Sequence, residues 1–400
     1  QEQEAKKPIH KKMITYIQNV RVYADRKFVP GPVLIRDGKF EAVGPEAEKA
    51  FELLKDRENT TLLDGQDRRL VPGFIDIHTH GAAGVDVNAA DEEGLRKIAA
   101  FKASQGTTGF LTSVLTDTRE QTLWCIDKIT RVMQEENEGA KVLGIHLEGP
   151  FLSMEYKGAM PDHLILPASE ELFREYQEAA GGAVRYITIA PEVENASELI
   201  RAISHETAVA IGHSAADYET SMDAIYNGAR AVTHTFNAMK LFHQHAPAIM
   251  GAALESDVYC EAICDGRHLV PSTVRMLLKC KGWDRVTAVT DSIMAAGLPD
   301  GNYKLGVNEV VVVDGDAKLP NGVRAGSTLT MNRALKNLMT FTGHPLEDVI
   351  PLLTENPAAT IRMADRKGKI KPGMDADCVL LDEECTVVTT LVGGRIVFSR

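Results

Sequence analysis

The sequence predicts an α/β fold: a (β/α)8 barrel of the TIM type, flanked by β-rich chain ends. Two observations lead there. Over nearly 300 residues, short apolar runs alternate with stretches whose apolar residues recur at three- and four-residue spacing, the pattern of a parallel sheet covered by helices. The polar residues His78, His80, Glu148, His213, His234 and Asp291 each follow such a run, and C-terminal strand ends are where a closed barrel carries its chemistry. An open doubly wound sheet fits less well, because no Gly-x-Gly-x-x-Gly turn follows the first strand.

In chain order, residues 1–12 are polar, lack the apolar core of a secretion signal, and are expected to be a disordered extension. Strands follow at 14–22, 33–35, 40–43 and 62–70, punctuated by Asp37-Gly38 and Asp64-Gly65. Helical periodicity marks 92–104, 118–137, 196–204 and 331–342. The chain ends on β-rich stretches at 376–381, 385–391 and 395–398, with Gly393-Gly394 as a hairpin turn. The chain therefore divides into β-rich flanks at 13–70 and 366–400 and a barrel at 71–365.

A length of 400 residues suits a barrel with one smaller companion. Hydrophobic residues make up 44% and charged residues 25%, so a sizeable core is affordable. The net charge of -12 argues against nucleic acid and anionic membranes as partners. No run approaches the ~20 apolar residues of a membrane span. Cys125, Cys260, Cys264, Cys280, Cys378 and Cys385 form no Cys-x-x-Cys pair and read as reduced, buried packing residues of a cytoplasmic protein, without a structural zinc.

His78-Thr79-His80 carries the first chemical signal. Residues two apart on a strand face one side, so both imidazoles can address one ion. In His146-Leu147-Glu148 the same spacing puts His146 and Glu148 on one face, and a carboxylate among histidines can bind or bridge metal. His213 in Ile-Gly-His-Ser and His234 in Val-Thr-His-Thr are individually ordinary. With Glu148 they offer three ligands from separate strands, leaving a position open for water, as a catalytic zinc requires. Asp291, in Ala-Val-Thr-Asp-Ser, suits either a proton shuttle or a helix cap. No Gly-x-x-x-x-Gly-Lys-Ser/Thr is present, so a nucleotide P-loop is excluded. Backbone amides around Asn237-Ala238 and Ala325-Gly326-Ser327 are candidate anion donors. His268, in Asp265-Gly-Arg-His, either meets sugar hydroxyls or packs.

These motifs, with Pro72-Gly-Phe-Ile-Asp-Ile-His-Thr-His-Gly81, His146-Leu-Glu-Gly-Pro-Phe151, Thr233-His-Thr-Phe-Asn-Ala-Met239, Ala325-Gly-Ser-Thr-Leu-Thr330 and Asn356-Pro-Ala358, resemble the N-acetylglucosamine-6-phosphate deacetylase family of the amidohydrolase superfamily. The resemblance runs from Met13 to Arg400. It implies a barrel with a small β-sandwich, assembled as a homodimer, acting on a small-molecule amino-sugar phosphate. It implies Glu148, His213 and His234 as principal metal ligands, with His78 and His80 holding a second ion bridged by Glu148. The cofactor is then one or two divalent ions, zinc before iron or another. Asp291 matches the catalytic acid/base. Ala159, Asn237, Ala238, Asp265, His268, Arg324, Ala325 and Gly326 match the substrate-binding stretches. The implied reaction is hydrolysis of the acetamide to acetate and hexosamine 6-phosphate.

Two positions depart from the family. His245 stands where an arginine usually reaches phosphate, often that of the neighbouring subunit, and an imidazole cannot reproduce the bidentate fork. Met160 stands where many members carry a histidine that polarises the carbonyl, and a thioether donates no hydrogen bond. The alternatives are a deacetylase of N-acetylgalactosamine 6-phosphate or of an unphosphorylated N-acetyl sugar, or another amidohydrolase such as a deaminase or cyclic amidase. A non-catalytic scaffold fits poorly, because all five ligand candidates and Asp291 are present.

Overall fold

The computed structural model describes residues 13–55, 59–136 and 138–400, so the expected extension at 1–12 lies outside the described residues. The fold is the expected α/β barrel with a small β domain drawn from both chain ends. Eight parallel strands run from Phe74–Asp76 through Thr107–Leu115, Lys141–Glu148, Val184–Ile189, Ala208–Ile211, Ala231–Val232 and Tyr259–Ile263 to Val286–Val289, each paired with its sequence neighbour. A helix follows every strand, and side chains of Asp91, Thr118, Ser169 and Asp217 cap four of these helices by accepting from backbone N–H groups in the first turn. The helices Glu92–Ser104 and Met331–Thr342 match the periodicity of the sequence.

The first and last strands meet not through a regular ladder but through the residues just beyond them. Asp291 N donates to His78 O at 2.8 Å, and His80 N donates to Ser292 O at 2.8 Å. Below this seam lies a buried ion pair. Helix Glu92–Ser104 buries Leu95, Ile98, Ala99 and Ala103, and on the same face Lys102, whose Nζ reaches Asp76 Oδ2 at 2.6 Å. Asp76 also accepts from Thr290 Oγ1 at 2.6 Å, so one carboxylate ties the first strand to the last.

Both chain ends contribute to one hydrogen-bonded, eight-stranded sheet. Thr60–Pro72 lies between Ile14–Ala24 and Cys378–Leu381. The period of two divides its side chains: Cys378 and Leu380 enter a small core with Ile17, Val33 and Phe40, whereas Val379 and Leu381 pack onto the barrel. Among the elements not anticipated are the helix Pro45–Glu52 and a three-stranded antiparallel sheet, Gly301–Leu305, Asn308–Val313 and Asp316–Lys318. That sheet is inserted between the last barrel strand and its helix. It buries Leu305, Val310 and Val312 against Leu115, Leu152 and Met160, and Gly306 N donates to Asp86 Oδ2 at 2.7 Å.

No cysteine is paired, but Cys280 is exposed rather than buried, because it lies on the outer face of helix Pro271–Lys281. No helix among the described residues is long and apolar enough to cross a membrane. Removing one member of a buried pair leaves an uncompensated charge, so Lys102→Met should destabilise the protein by about 3–5 kcal/mol, read by chemical denaturation. A loss no larger than that of an exposed lysine would show that the pair does not hold the seam.

Candidate active site

Six polar side chains converge at the C-terminal mouth of the barrel, and all are buried. His78 and His80 project to the same side of their strand extension, while Thr79 between them turns away to meet Ser292 Oγ at 2.7 Å. Glu148 ends its strand at the centre. Its Oε1 lies 3.3 Å from His78 Nε2, 3.0 Å from His213 Nε2 and 3.2 Å from His234 Nε2. Its Oε2 lies 3.0 Å from His80 Nε2. Asp291 Oδ1 sits 3.4 Å from His78 Nε2 and 3.2 Å from His80 Nε2, facing the cluster rather than capping a helix. His213, His234 and Asp291 have φ of 46°, 24° and 48°, a region that non-glycine residues seldom occupy and that clusters at functional sites.

The hydrogen bonds on the far side of each ring reveal what this cluster needs. His80 Nδ1 faces Ser113 O at 3.1 Å, His213 Nδ1 faces Tyr156 O at 2.8 Å, and His234 Nδ1 faces Asn237 O at 3.0 Å. His78 Nδ1 faces Glu261 Oε2 at 2.9 Å. Each of these partners only accepts, so each Nδ1 carries the hydrogen and each neutral ring turns a lone pair inward at Nε2. Yet His78 Nε2 and His80 Nε2 are 3.2 Å apart, and His213 Nε2 and His234 Nε2 are 3.1 Å apart. Four lone pairs and two carboxylates thus face one another with no donor among them. A cation resolves that repulsion, and His/carboxylate donors suit a divalent one. Two triads are geometrically competent, His78/His80/Glu148 and Glu148/His213/His234, with Glu148 common to both.

Electrostatics carry the same message. Burial opposes charge on His80, but Glu148 and Asp291 outweigh it and lift its pKa to about 9. His78 is likewise raised against its burial by Glu261, Asp291 and Glu148. Burial also opposes charge on Asp291, and His78 and His80 overcome it, holding the carboxyl at about 2. The metal-free site therefore wants protons where a metal-loaded site has its cation.

His146 is not part of this centre. Its Nδ1 meets Ser113 Oγ at 2.8 Å and its Nε2 meets Thr188 Oγ1 at 2.9 Å, and burial holds its pKa well below the usual range, so it is a neutral core residue. Conversely, Glu261 was missed by sequence reasoning. Fully buried on Tyr259–Ile263, it holds His78 Nδ1 and accepts from His234 N at 2.8 Å, bracing one ring and one backbone from different triads.

The pocket above the cluster is lined by Ala159, Asn237, Ala238, His268, Arg324, Ala325 and Gly326, together with Met160, which is buried. Asp265 lies behind this wall: its Oδ2 takes His268 Nδ1 at 2.7 Å, orienting that ring. Gly326, at φ +61°, fits where an added Cβ would lie 2.9 Å from Asp291 O. The anion donors expected here are largely spent. Asn237 N donates to His234 O at 2.9 Å, Ala325 N to Ala317 O at 3.0 Å and Ser327 N to Asp291 O at 2.7 Å. His245 is not brought to the pocket; its side chain is exposed on an outward-facing turn with His243.

A cluster of His and carboxylate donors at C-terminal strand ends of a barrel suits metal-dependent hydrolysis, and the sequence profile of the Amidohydrolase family matches residues 69–397, so the chain belongs to that family. Within it, the chain is 35% identical over 388 residues to N-acetylglucosamine-6-phosphate deacetylase of Bacillus subtilis (strain 168), covering 96% of each. It is 33% identical to N-acetylgalactosamine-6-phosphate deacetylase of Escherichia coli O157:H7, covering 82% of this chain and 87% of that one. The crystal structure of N-acetylglucosamine-6-phosphate deacetylase from Thermotoga maritima superimposes with a TM-score of 0.85 at 34% identity, covering 96% of this chain and 100% of that one.

Two outcomes follow. The folded pKa of His80 exceeds its unfolded value of about 6.5, so its contribution to stability is full below that pH and is lost as pH rises through about 9. The melting temperature of metal-stripped protein should fall between pH 6.5 and 9 while that of metal-loaded protein holds; equal slopes would contradict this. Glu261→Gln should weaken metal affinity by about 10–100-fold in equilibrium dialysis, as loss of a carboxylate behind a ligating histidine typically does.

Proposed function

We propose that this protein hydrolyses N-acetyl-D-glucosamine 6-phosphate to glucosamine 6-phosphate and acetate, in amino-sugar breakdown or recycling. One observation carries the reading: Asp291 stands beside a cation-demanding cluster at the base of a pocket, in a chain so similar to deacetylases of this sugar phosphate. When bound, a divalent cation supplies water activation at neutral pH and Lewis-acid polarisation of the acetamide carbonyl. Asp291, beside His78 and His80 at the edge of the cluster, takes the proton of the attacking water and returns it to the departing amine nitrogen. Met160 offers an apolar wall and no hydrogen bond. His268, its Nδ1 fixed by Asp265, presents its other nitrogen to the sugar.

We take the ion count as two, with Glu148 shared, and zinc as the first choice over iron. The pair of complete triads supports this count. A homodimer is supported by Leu241 and Phe242, 59% and 57% exposed beside His245, where unburied apolar area suits a partner copy. A cytoplasmic location fits the six unpaired cysteines. The galacto epimer is the second reading, favoured by the 33% identity to the Escherichia coli enzyme named for that sugar.

Acetate release by metal-reconstituted protein should be faster from N-acetylglucosamine 6-phosphate than from its galacto epimer or the unphosphorylated sugar. Asp291→Asn should lower kcat by about 10²–10⁴-fold while bound metal is retained. Release of ammonia instead of acetate, or of neither, would overturn the assignment.

A further inference from the structure

A phosphorylated substrate needs a cation within reach, and this chain is acidic overall. His245, at the position where the family's arginine usually stands, is exposed and outside the pocket of the single chain. Among the described residues lining that pocket, Arg324 is the one that carries a permanent positive charge.

The surroundings of Arg324 are built to hold it. It follows the inserted three-stranded sheet, and its Nε and Nη2 grip Asp316 Oδ1 and Oδ2 at 2.7 and 2.9 Å, fixing the plane of the guanidinium. Asp316 is not Arg324's alone: Lys318 Nζ lies 3.1 Å and Arg267 Nη1 lies 3.8 Å from its Oδ2. Three cations share this one carboxylate, so the cluster keeps a positive excess. The nearby carboxylate of Asp265 does not cancel it freely, because it is engaged by His268 and by the backbone N–H groups of Arg267 and His268. The remaining edge of the guanidinium, Nη1, lies 3.3 Å from Arg267 O, one residue before the pocket-lining His268.

We propose that Arg324, braced by Asp316 and backed by Arg267 and Lys318, grips the phosphate of the substrate from within the same chain, in place of the arginine missing at position 245. This rests on the reading of the substrate as a 6-phosphorylated amino sugar. A braced guanidinium loses little freedom on binding, and of its five N–H groups one on Nη1 and one on Nη2 remain for phosphate oxygens, a pair of donors that a single imidazole cannot reproduce.

The test is steady-state acetate release from N-acetylglucosamine and from its 6-phosphate, by metal-reconstituted wild type, Arg324→Met, Arg324→Lys and His245→Ala. Arg324→Met should raise KM for the phosphorylated sugar by about 10–100-fold with kcat little changed, as expected for a lost charge-assisted contact. The preference for phosphorylated over free sugar should collapse by the same factor, with Arg324→Lys restoring part of it and His245→Ala costing less. Calorimetric titration of Asp291→Asn, with and without Arg324→Met, should give the same ratio as Kd for the phosphorylated sugar. An equal loss on both sugars would reduce Arg324 to a structural role, and a larger KM effect from His245→Ala would return the phosphate to that turn; either overturns the proposal. A wild type that releases acetate from neither sugar would instead overturn the parent assignment.

Discussion

The architecture is organised around a repulsion. Four imidazole lone pairs and two carboxylates are directed at one small volume, where like groups would separate if the chain let them. Parallel strands deliver the six side chains from separate points of the barrel rim, and the Nδ1 partners behind the rings stop the histidines from rotating away or changing tautomer. Positive φ at His213, His234 and Asp291 is a local strain accepted for the same end. A divalent cation turns this arrangement from costly to favourable, and much of the surrounding hydrogen bonding serves to keep the place ready for it.

The pocket is polarised along its depth. Acceptors gather at its floor, while cationic side chains gather around Asp316 at its wall, carried by an insertion the barrel does not need for closure. Between them, Met160 and Leu305 supply apolar surface. A ligand with an uncharged, hydrolysable group at one end and an anion at the other matches that gradient, and the two ends of recognition can change independently because they sit on different elements.

Much of this could be read in the sequence, for physical reasons that also explain the omissions. His78 and His80 were visible because a period of two is conspicuous in three residues, and Asp291 because it interrupts an apolar run at its end. Asp76 and Glu261 carry an equally good signal, a lone carboxylate inside an apolar strand that a covered parallel sheet would otherwise keep apolar, but that signal names no partner. Lys102 for Asp76, and His78 and His234 for Glu261, become partners only once the barrel is closed. The amides near Asn237 and Ala325 could not be judged in advance, since whether a backbone N–H is free depends on turns formed by distant residues. His245 shows that a motif fixes a residue's place in a loop and not which pocket, its own or a partner's, the loop faces. The inserted sheet escaped because Val310–Val313 run consecutively, so the alternation of buried and exposed faces leaves no trace in the residue types.

The seam of the barrel has a consequence for biosynthesis. The residues that join the first and last strands are also those of the polar cluster, and Thr290 Oγ1 meets His78 O across 212 positions of sequence. Contacts so remote along the chain form late, after the cost of closing the intervening loop has been met. The polar cluster therefore stays incomplete until residue 291 has been added and the barrel has closed. A chain that stops short of residue 291 lacks that carboxylate altogether, however many of the histidines it carries.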